Sequence, residues 1–328
     1  MKPGFRNKTE KLLLNIKPIK MRILVTGGAG FIGSNLVHRL VKDGHEVVVL
    51  DNLVRGNKID PAIFRKVIFF NKDIRDLEAV QEASKDCDVI FHLAAILGVD
   101  IVADNPVETM DVETVGMRNV AIATLNNGIK KILYASTSGI YGHSAMEKSV
   151  DEKIMVDPRT SYAMAKRYNE IYLSALNDEK GIQSVALRFF NVYGYNQDNR
   201  MVIPRFFEQA LKGEPITVFS KGLQTRDFTY IDDTIESCIR LMNKDLNFEI
   251  FNIANENELS VIDLAKRIKE ITNSSSEILF IEAPDKRYDY EVERRVGSSK
   301  KLFEYVQYKP STSLEDGLKY IFEKNYKK

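Results

Sequence analysis

Tyr162 and Lys166 stand four residues apart in SYAMAKRYNE, a spacing that brings their polar ends to one face of a helix. A free tyrosine, with a pKa of about 10, is a poor base at neutral pH. A cation about 4 Å away is worth roughly 1 kcal/mol in water but about 4 kcal/mol at an effective dielectric of about 20. At roughly 1.4 kcal/mol per pKa step, only the second value brings the phenol near neutrality. Burial alone works the other way, so Lys166 is essential to any role for Tyr162 as a base. The chemistry this pair suits is removal of a proton from an alcohol. Thr137, in ASTSGIYG, is placed to share the same substrate oxygen. Taken alone, Tyr-x-x-x-Lys is common by chance and usually a solvated helix face. Here a second motif stands before it.

That motif is ILVTGGAGFIGSNL, a strand, a glycine turn and a helix start in succession. Gly28-x-Gly30-x-x-Gly33, together with Gly27, Phe31 and Ile32, supplies a tight turn, bare backbone for a pyrophosphate and close helix–strand packing. Free N–H groups at the helix start then meet the phosphate charge. Asp51 closes the next strand, 18 residues after Gly33, where an acid accepts hydrogen bonds from adenosine ribose hydroxyls. A carboxylate there repels a 2′-phosphate, so NAD is favoured over NADP; Asn52 lies alongside, and Arg55 is near enough to keep NADP open. Asp73 and Ile74 follow the third strand, and Leu93, Ala94 and Ala95 the fourth, where a flat ligand must fit. Core packing accounts for Ala94 and Ala95 equally well in isolation, and His92 reads as a satisfied core histidine. The combined expectation is redox chemistry on an alcohol or ketone beside a nicotinamide.

Positioning these groups takes parallel strands. Near-continuous apolar runs at 22–26, 46–50, 67–71, 88–93, 131–136 and 184–188 read as strands covered on both faces. Helical spacing occupies 31–43, 76–84, 107–126 and 161–179, with Gly44, Gly128 and Gly181 as C-terminal caps. The alternation predicts an α/β fold, a Rossmann-type doubly wound parallel sheet with a smaller C-terminal α/β substrate-binding lobe. After Arg188 the loops lengthen (191–200, 283–297), and shorter elements follow at 203–212, 216–219, 227–231, 233–243, 249–253, 260–271 and 313–324. Residues 1–20 read as a flexible extension, 21–188 as the NAD-binding domain and 189–328 as mainly the substrate domain, some segments returning to the first.

Composition narrows the partners. A chain of 328 residues, 44% hydrophobic, buries a sizeable core. With 47 basic and 46 acidic residues and no single-sign stripe, nothing points to nucleic acid. No apolar run approaches the roughly 20 residues of a membrane span, and Leu12–Leu14 is too short for a signal segment. Cys87 and Cys238 lack metal or redox spacing and read as reduced core thiols of a cytoplasmic protein, with no metal site expected.

TGGAGFIG, Asp51, HLAA, STSGIYG, SYAMAK, RFFNVYG, QTRDFTYIDD and the final LEDGL together resemble the extended short-chain dehydrogenase/reductases. The likeness is strongest to the NAD-dependent nucleotide-sugar epimerase/dehydratase group, especially enzymes similar to UDP-glucose 4-epimerase, and runs from about Met21 to the C-terminus. It implies Tyr162 as the base, Lys166 as its electrostatic partner and ribose anchor, and Thr137 and Ser138 as substrate contacts. It assigns Asn191 to a substrate diphosphate, with Arg226 and Arg287 as phosphate clamps, a role guanidinium geometry suits; a surface ion pair is the other reading of either arginine. Val218 and Phe219 lie against the nucleobase by this likeness and form a core strand without it.

The departures also inform. Where family dehydratases carry acids just after the threonine, and glucuronate decarboxylases a Glu two positions on, this chain has Ser138 and Gly139. Many members have Asn in the helix after the fourth strand; here Glu113 stands instead, so that helix's usual hydrogen bond is not carried over. Arg294 falls at the position that gates the sugar pocket in 4-epimerases and reads either an anionic sugar or an ion pair with Glu291 or Glu293. The expectation is an NAD-dependent 4-epimerase of UDP-hexoses or UDP-hexuronates. Decarboxylation and dehydration are alternatives, as is a non-catalytic dinucleotide sensor. A homodimer is implied by the same likeness, its helices near 107–126 and 161–179 meeting across the contact.

Overall fold

The computed structural model describes residues 20–146, 149–282 and 293–327. Its strands are β1 (Arg22–Thr26), β2 (Glu46–Asp51), β3 (Ile68–Asn71), β4 (Val89–His92), β5 (Lys131–Thr137), β6 (Gln183–Phe189) and β7 (Val192–Tyr193). They continue with β8 (Ile216–Phe219), β9 (Thr225–Asp227), β10 (Thr229–Tyr230), β11 (Phe248–Ile253), β12 (Glu258–Ser260), β13 (Ile278–Ile281) and β14 (Arg294–Arg295). Seven of them form one sheet in the order β11-β6-β5-β4-β1-β2-β3, and every pairing in it is parallel.

Strand periodicity explains why the runs are unbroken. Ile23, Val25, Val47 and Val49 enter one core, while Leu24, Val48 and Leu50 enter the other, so both sheet faces need apolar residues. Leu173 and Leu176 of the helix Ser161–Lys180, with Val120 and Met117 of the helix Pro106–Asn126, close one face. Leu36 and Leu40 of Phe31–Lys42 and Ile235 and Ile239 of Ile231–Met242 close the other. The strand order reverses between β1 and β4, the place where a parallel sheet opens a crevice at its carboxyl edge.

The second lobe is tied into the first. β11 adds the outermost strand beside β6, and Ile231–Met242 packs on Phe31–Lys42, where Arg39 pairs with Glu236 at 2.8 Å. Phe206, Ile216, Leu264 and Leu318 belong to the same core as β1 and β2. The small sheets β13-β8 and β12-β9-β14 carry the remainder. The expected short element at 227–231 divides into β9 and β10 around Phe228, and Ile231 already starts a helix. Sequence periodicity also missed the short helices Pro61–Phe64 and Val99–Asp104 and the 3-10 segment Ser138–Ala145, each too brief to repeat a pattern. The expected extension lies almost wholly outside the described residues.

Candidate active site

A cleft of about 610 Å³ opens at the strand-order reversal. Gly27, Gly30, Phe31, Ile32 and Gly33 line it from the first turn. Asp51, Asn52, Asp73, Ile74, Leu93, Ala94 and Ala95 line it from the ends of β2, β3 and β4. Gly28 lies beneath, where an added Cβ would come within 2.8 Å of Val49. The turn is crowded for a reason: a Cβ on Gly33 would sit 2.2 Å from the carbonyl oxygen of Gly27. Gly27 itself has φ +68°, and Ala94 crosses within 2.7 Å of where its Cβ would be. Bare backbone, a helix start at Phe31 and a carboxylate at the second strand fit an adenine dinucleotide.

Asp51 is fixed by the backbone amides of Ala29 and Leu53, which donate to it at 3.0 and 2.8 Å. Burial raises its pKa and those two donors oppose the rise. Asp73 is held by Arg75, whose hydrogen bonds pull its carboxyl down to about 2, and Asn52 donates to it at 3.2 Å. His92 is buried against Thr26 at 2.8 Å, and burial lowers its pKa to about 3, so it stays neutral.

At the other end Thr137, Ser138, Tyr162, Lys166 and Asn191 line the same cleft. Thr160 caps the helix by accepting from Ala163 N at 3.0 Å, which sets Tyr162 and Lys166 in its first two turns. Thr137 ends β5, accepts from Gly139 N at 3.0 Å and hydrogen-bonds Tyr162. Lys166 Nζ lies 5.4 Å from the centre of the Tyr162 ring and donates to Ala135 O at 2.7 Å.

One expectation is corrected here. The charge of Lys166 is not reserved for Tyr162, because Glu113 Oε2 sits 3.0 Å from Nζ. Burial and then the Glu113 charge push the Tyr162 phenol well above its ordinary value, against the Thr137 hydrogen bond. The four-residue spacing shows which groups share a face of one helix; it is silent about a carboxylate delivered by another helix.

The model of the NAD dependent epimerase/dehydratase family matches residues 23–254. A UDP-N-acetyl-alpha-D-glucosaminuronate decarboxylase of Bacillus cytotoxicus is 37% identical over 312 residues, covering 92% of this chain and 96% of that protein. UDP-glucose 4-epimerase of Thermotoga maritima, solved with UDP-glucose, superposes with TM-score 0.86 at 32% identity, over 92% of this chain and 98% of that one. The Thermus thermophilus UDP-glucose 4-epimerase complex with NAD gives 0.85 at 31%, over 93% and 100%. The chain belongs to the NAD dependent epimerase/dehydratase family.

This family member is an NAD-dependent enzyme, and several residues singled out by likeness sit away from its cleft. Val218 is fully buried in the larger core, and neither it nor Phe219 lines the cleft. Phe219 instead has the Arg205 guanidinium 5.2 Å from its ring centre. Arg226 donates to Thr225 O at 2.8 Å and also does not line the cleft. Arg287 lies outside the described residues. Arg294 is paired with Glu258 at 2.8 Å rather than with Glu293, and Glu291 lies outside the described residues. Because alternate residues of a strand face opposite ways, it is Arg295 that lines the cleft. Arg55, Lys58, Lys72, Arg75 and Arg200 line it as well. These cations come mostly from loops whose course no periodicity reports; of them only Arg55 was singled out from the sequence.

Proposed function

We propose that this enzyme is a nucleotide-sugar 4-epimerase of the UDP-hexose or UDP-hexuronate class, acting through a transient 4-keto sugar. What carries the reading is the segment after Thr137, where Ser138 and Gly139 offer no carboxyl group. The acids that do line the cleft are Asp51, Asp73, Glu108 and Asp198. Asp51 is bound by backbone amides, Asp73 and Glu108 by Arg75, and Asp198 by Arg200 and Arg55. No described cleft carboxyl is left to protonate a leaving water. Epimerisation needs none, since one tyrosine can both take and return the proton.

NAD, when bound, supplies a reversible acceptor for the hydride at sugar C4. Tyr162 takes the proton from the 4-hydroxyl oxygen and later gives it back, and Thr137 holds that oxygen in place. Lys166 anchors the neighbouring ribose, and Asn191, Arg226 and Arg287 take the diphosphate. Binding strength placed on the nucleotide leaves the sugar free to present either face. The exposed apolar side chains Met110, Val115, Met164, Tyr168 and Ile171, on the two packed helices, support a homodimer built across them. Two buried unpaired thiols suit the cytoplasm, and no described helix is long and apolar enough to cross a membrane.

Decarboxylation is the second reading, favoured by the decarboxylase name of the 37% identical relative. The test is incubation with UDP-hexoses, UDP-hexuronates and their N-acetyl forms without added NAD. NMR of the C4 configuration together with product mass is the readout. Inversion at unchanged mass is expected; loss of carbon dioxide from a hexuronate would replace epimerase with decarboxylase.

A further inference from the structure

Glu113 lies behind the catalytic pair, out of the cleft, and is fully buried. Its Oε2 accepts from Lys166 Nζ at 3.0 Å and from the Tyr134 hydroxyl at 3.1 Å. Its Oε1 has no hydrogen-bond partner among the described residues. The groups facing it come from three elements. Tyr134 is on β5. Asn169, on Ser161–Lys180, donates to Tyr134 OH at 2.8 Å and to the Glu113 carbonyl at 3.1 Å. His92, on β4, stacks on Tyr134 with ring centres 5.6 Å apart. Beyond Lys166 stands Tyr162. Lys166 is thus the cation set between two acidic groups, a carboxyl behind it and a phenol before it.

One ammonium cannot neutralise two anions in a buried site at once, and groups coupled this closely titrate as a pair. We propose that Glu113 and Tyr162 share a single proton across Lys166, so that Tyr162 becomes phenolate only as Glu113 becomes a neutral acid. In that shift the Tyr162 O–H bond breaks and a Glu113 O–H bond forms. Lys166 is an ammonium before and after, and one negative charge passes from carboxylate to phenolate. Against the pull of Lys166, burial raises Glu113 above the ordinary carboxyl range, which favours the neutral acid there. A positive charge entering the cleft beside Tyr162 tips the proton toward Glu113. Glu113 is therefore a positioning residue, acting on the substrate only through Lys166 and Tyr162. The inference rests on Tyr162 being the acid–base group of the proposed reaction, and it adds where the proton waits.

The experiment is an ultraviolet titration of phenolate in the NAD-loaded enzyme without sugar, with Tyr162→Phe subtracted, comparing wild type with Glu113→Gln. Removing the carboxylate should move the phenolate transition down by about two on the pH scale, and the acidic limb of kcat/KM with it. Glu113→Asp should restore most of the wild-type position. At one fixed pH, infrared difference spectra of wild type with and without bound NAD should show a protonated-carboxyl C=O band gained together with phenolate, absent from Glu113→Gln. An unmoved transition in folded Glu113→Gln overturns the proposal. If that variant does not fold, phenolate formation in wild type without the carboxyl band overturns it alone. Neither the ultraviolet nor the infrared readout uses a sugar, so a failed nucleotide-sugar panel with a shifted phenolate would sink the function and leave the proton sharing standing.

Discussion

The helix Ser161–Lys180 carries two buried ion pairs one turn apart, and they are built differently. Glu170 receives Arg188 at both carboxylate oxygens, 2.9 and 2.8 Å, plus the Ser136 hydroxyl at 2.7 Å and Arg167 at 3.0 Å. Arg188 also donates to Tyr141 OH at 2.9 Å, which donates to Asn252 at 2.6 Å. That pair is saturated and ties the helix to β5, β6 and β11 together. Glu113 and Lys166, by contrast, leave one carboxylate oxygen bare and present the ammonium to the cleft. Burial opposes the Arg188 charge, but the bonds and charge of Glu170 outweigh it and hold Arg188 above its ordinary value. Burial wins at Lys166, which is lowered despite Glu113. A planar guanidinium that keeps its proton suits a structural tie; a lysine that can shift suits chemistry.

The largest effect that would test this contrast is on the open side. Tyr162→Phe should lower kcat by about 10²–10⁴ while NAD content, measured after denaturing release, stays unchanged. Retained turnover would remove Tyr162 from the chemistry. On the saturated side, Glu170→Gln leaves a guanidinium buried without its anion and should cost about 3–5 kcal/mol in urea unfolding, with the NAD site intact in whatever remains folded. Glu113→Gln should cost less, about 1–3 kcal/mol, because Lys166 keeps Ala135 O and lines the cleft, whereas Arg188 does not. Equal costs for the two glutamines would erase the distinction. Smallest of all, Arg294→Ala breaks a half-exposed pair with Glu258 and should change stability by about 1 kcal/mol or less. The ratio of kcat/KM for hexose and hexuronate substrates should hold, and a selective loss of the anionic sugar would return Arg294 to the sugar pocket.

The order of strands and helices through Arg188 was legible because each element carries its own period, and the glycine turn because its spacing is local. The return of β11 to the first sheet was visible only as a possibility, since a strand's sequence does not name its neighbour. Arg294 shows the same limit at one residue: its type suggested an anion, and Glu258, 36 positions earlier, turned out to be that anion.

The chain's linear pattern determined the doubly wound sheet, the dinucleotide turn with Asp51, and the meeting of Tyr162 with Lys166, all consequences of periods of two and of 3.6. Tertiary packing alone decided what surrounds them. Glu113 reaches Lys166 from a different helix, 53 residues away, and its charge adds to burial in raising the phenol. Charge effects of that kind depend on through-space distance and on exclusion of water, and neither quantity is written in the spacing of residues along a chain.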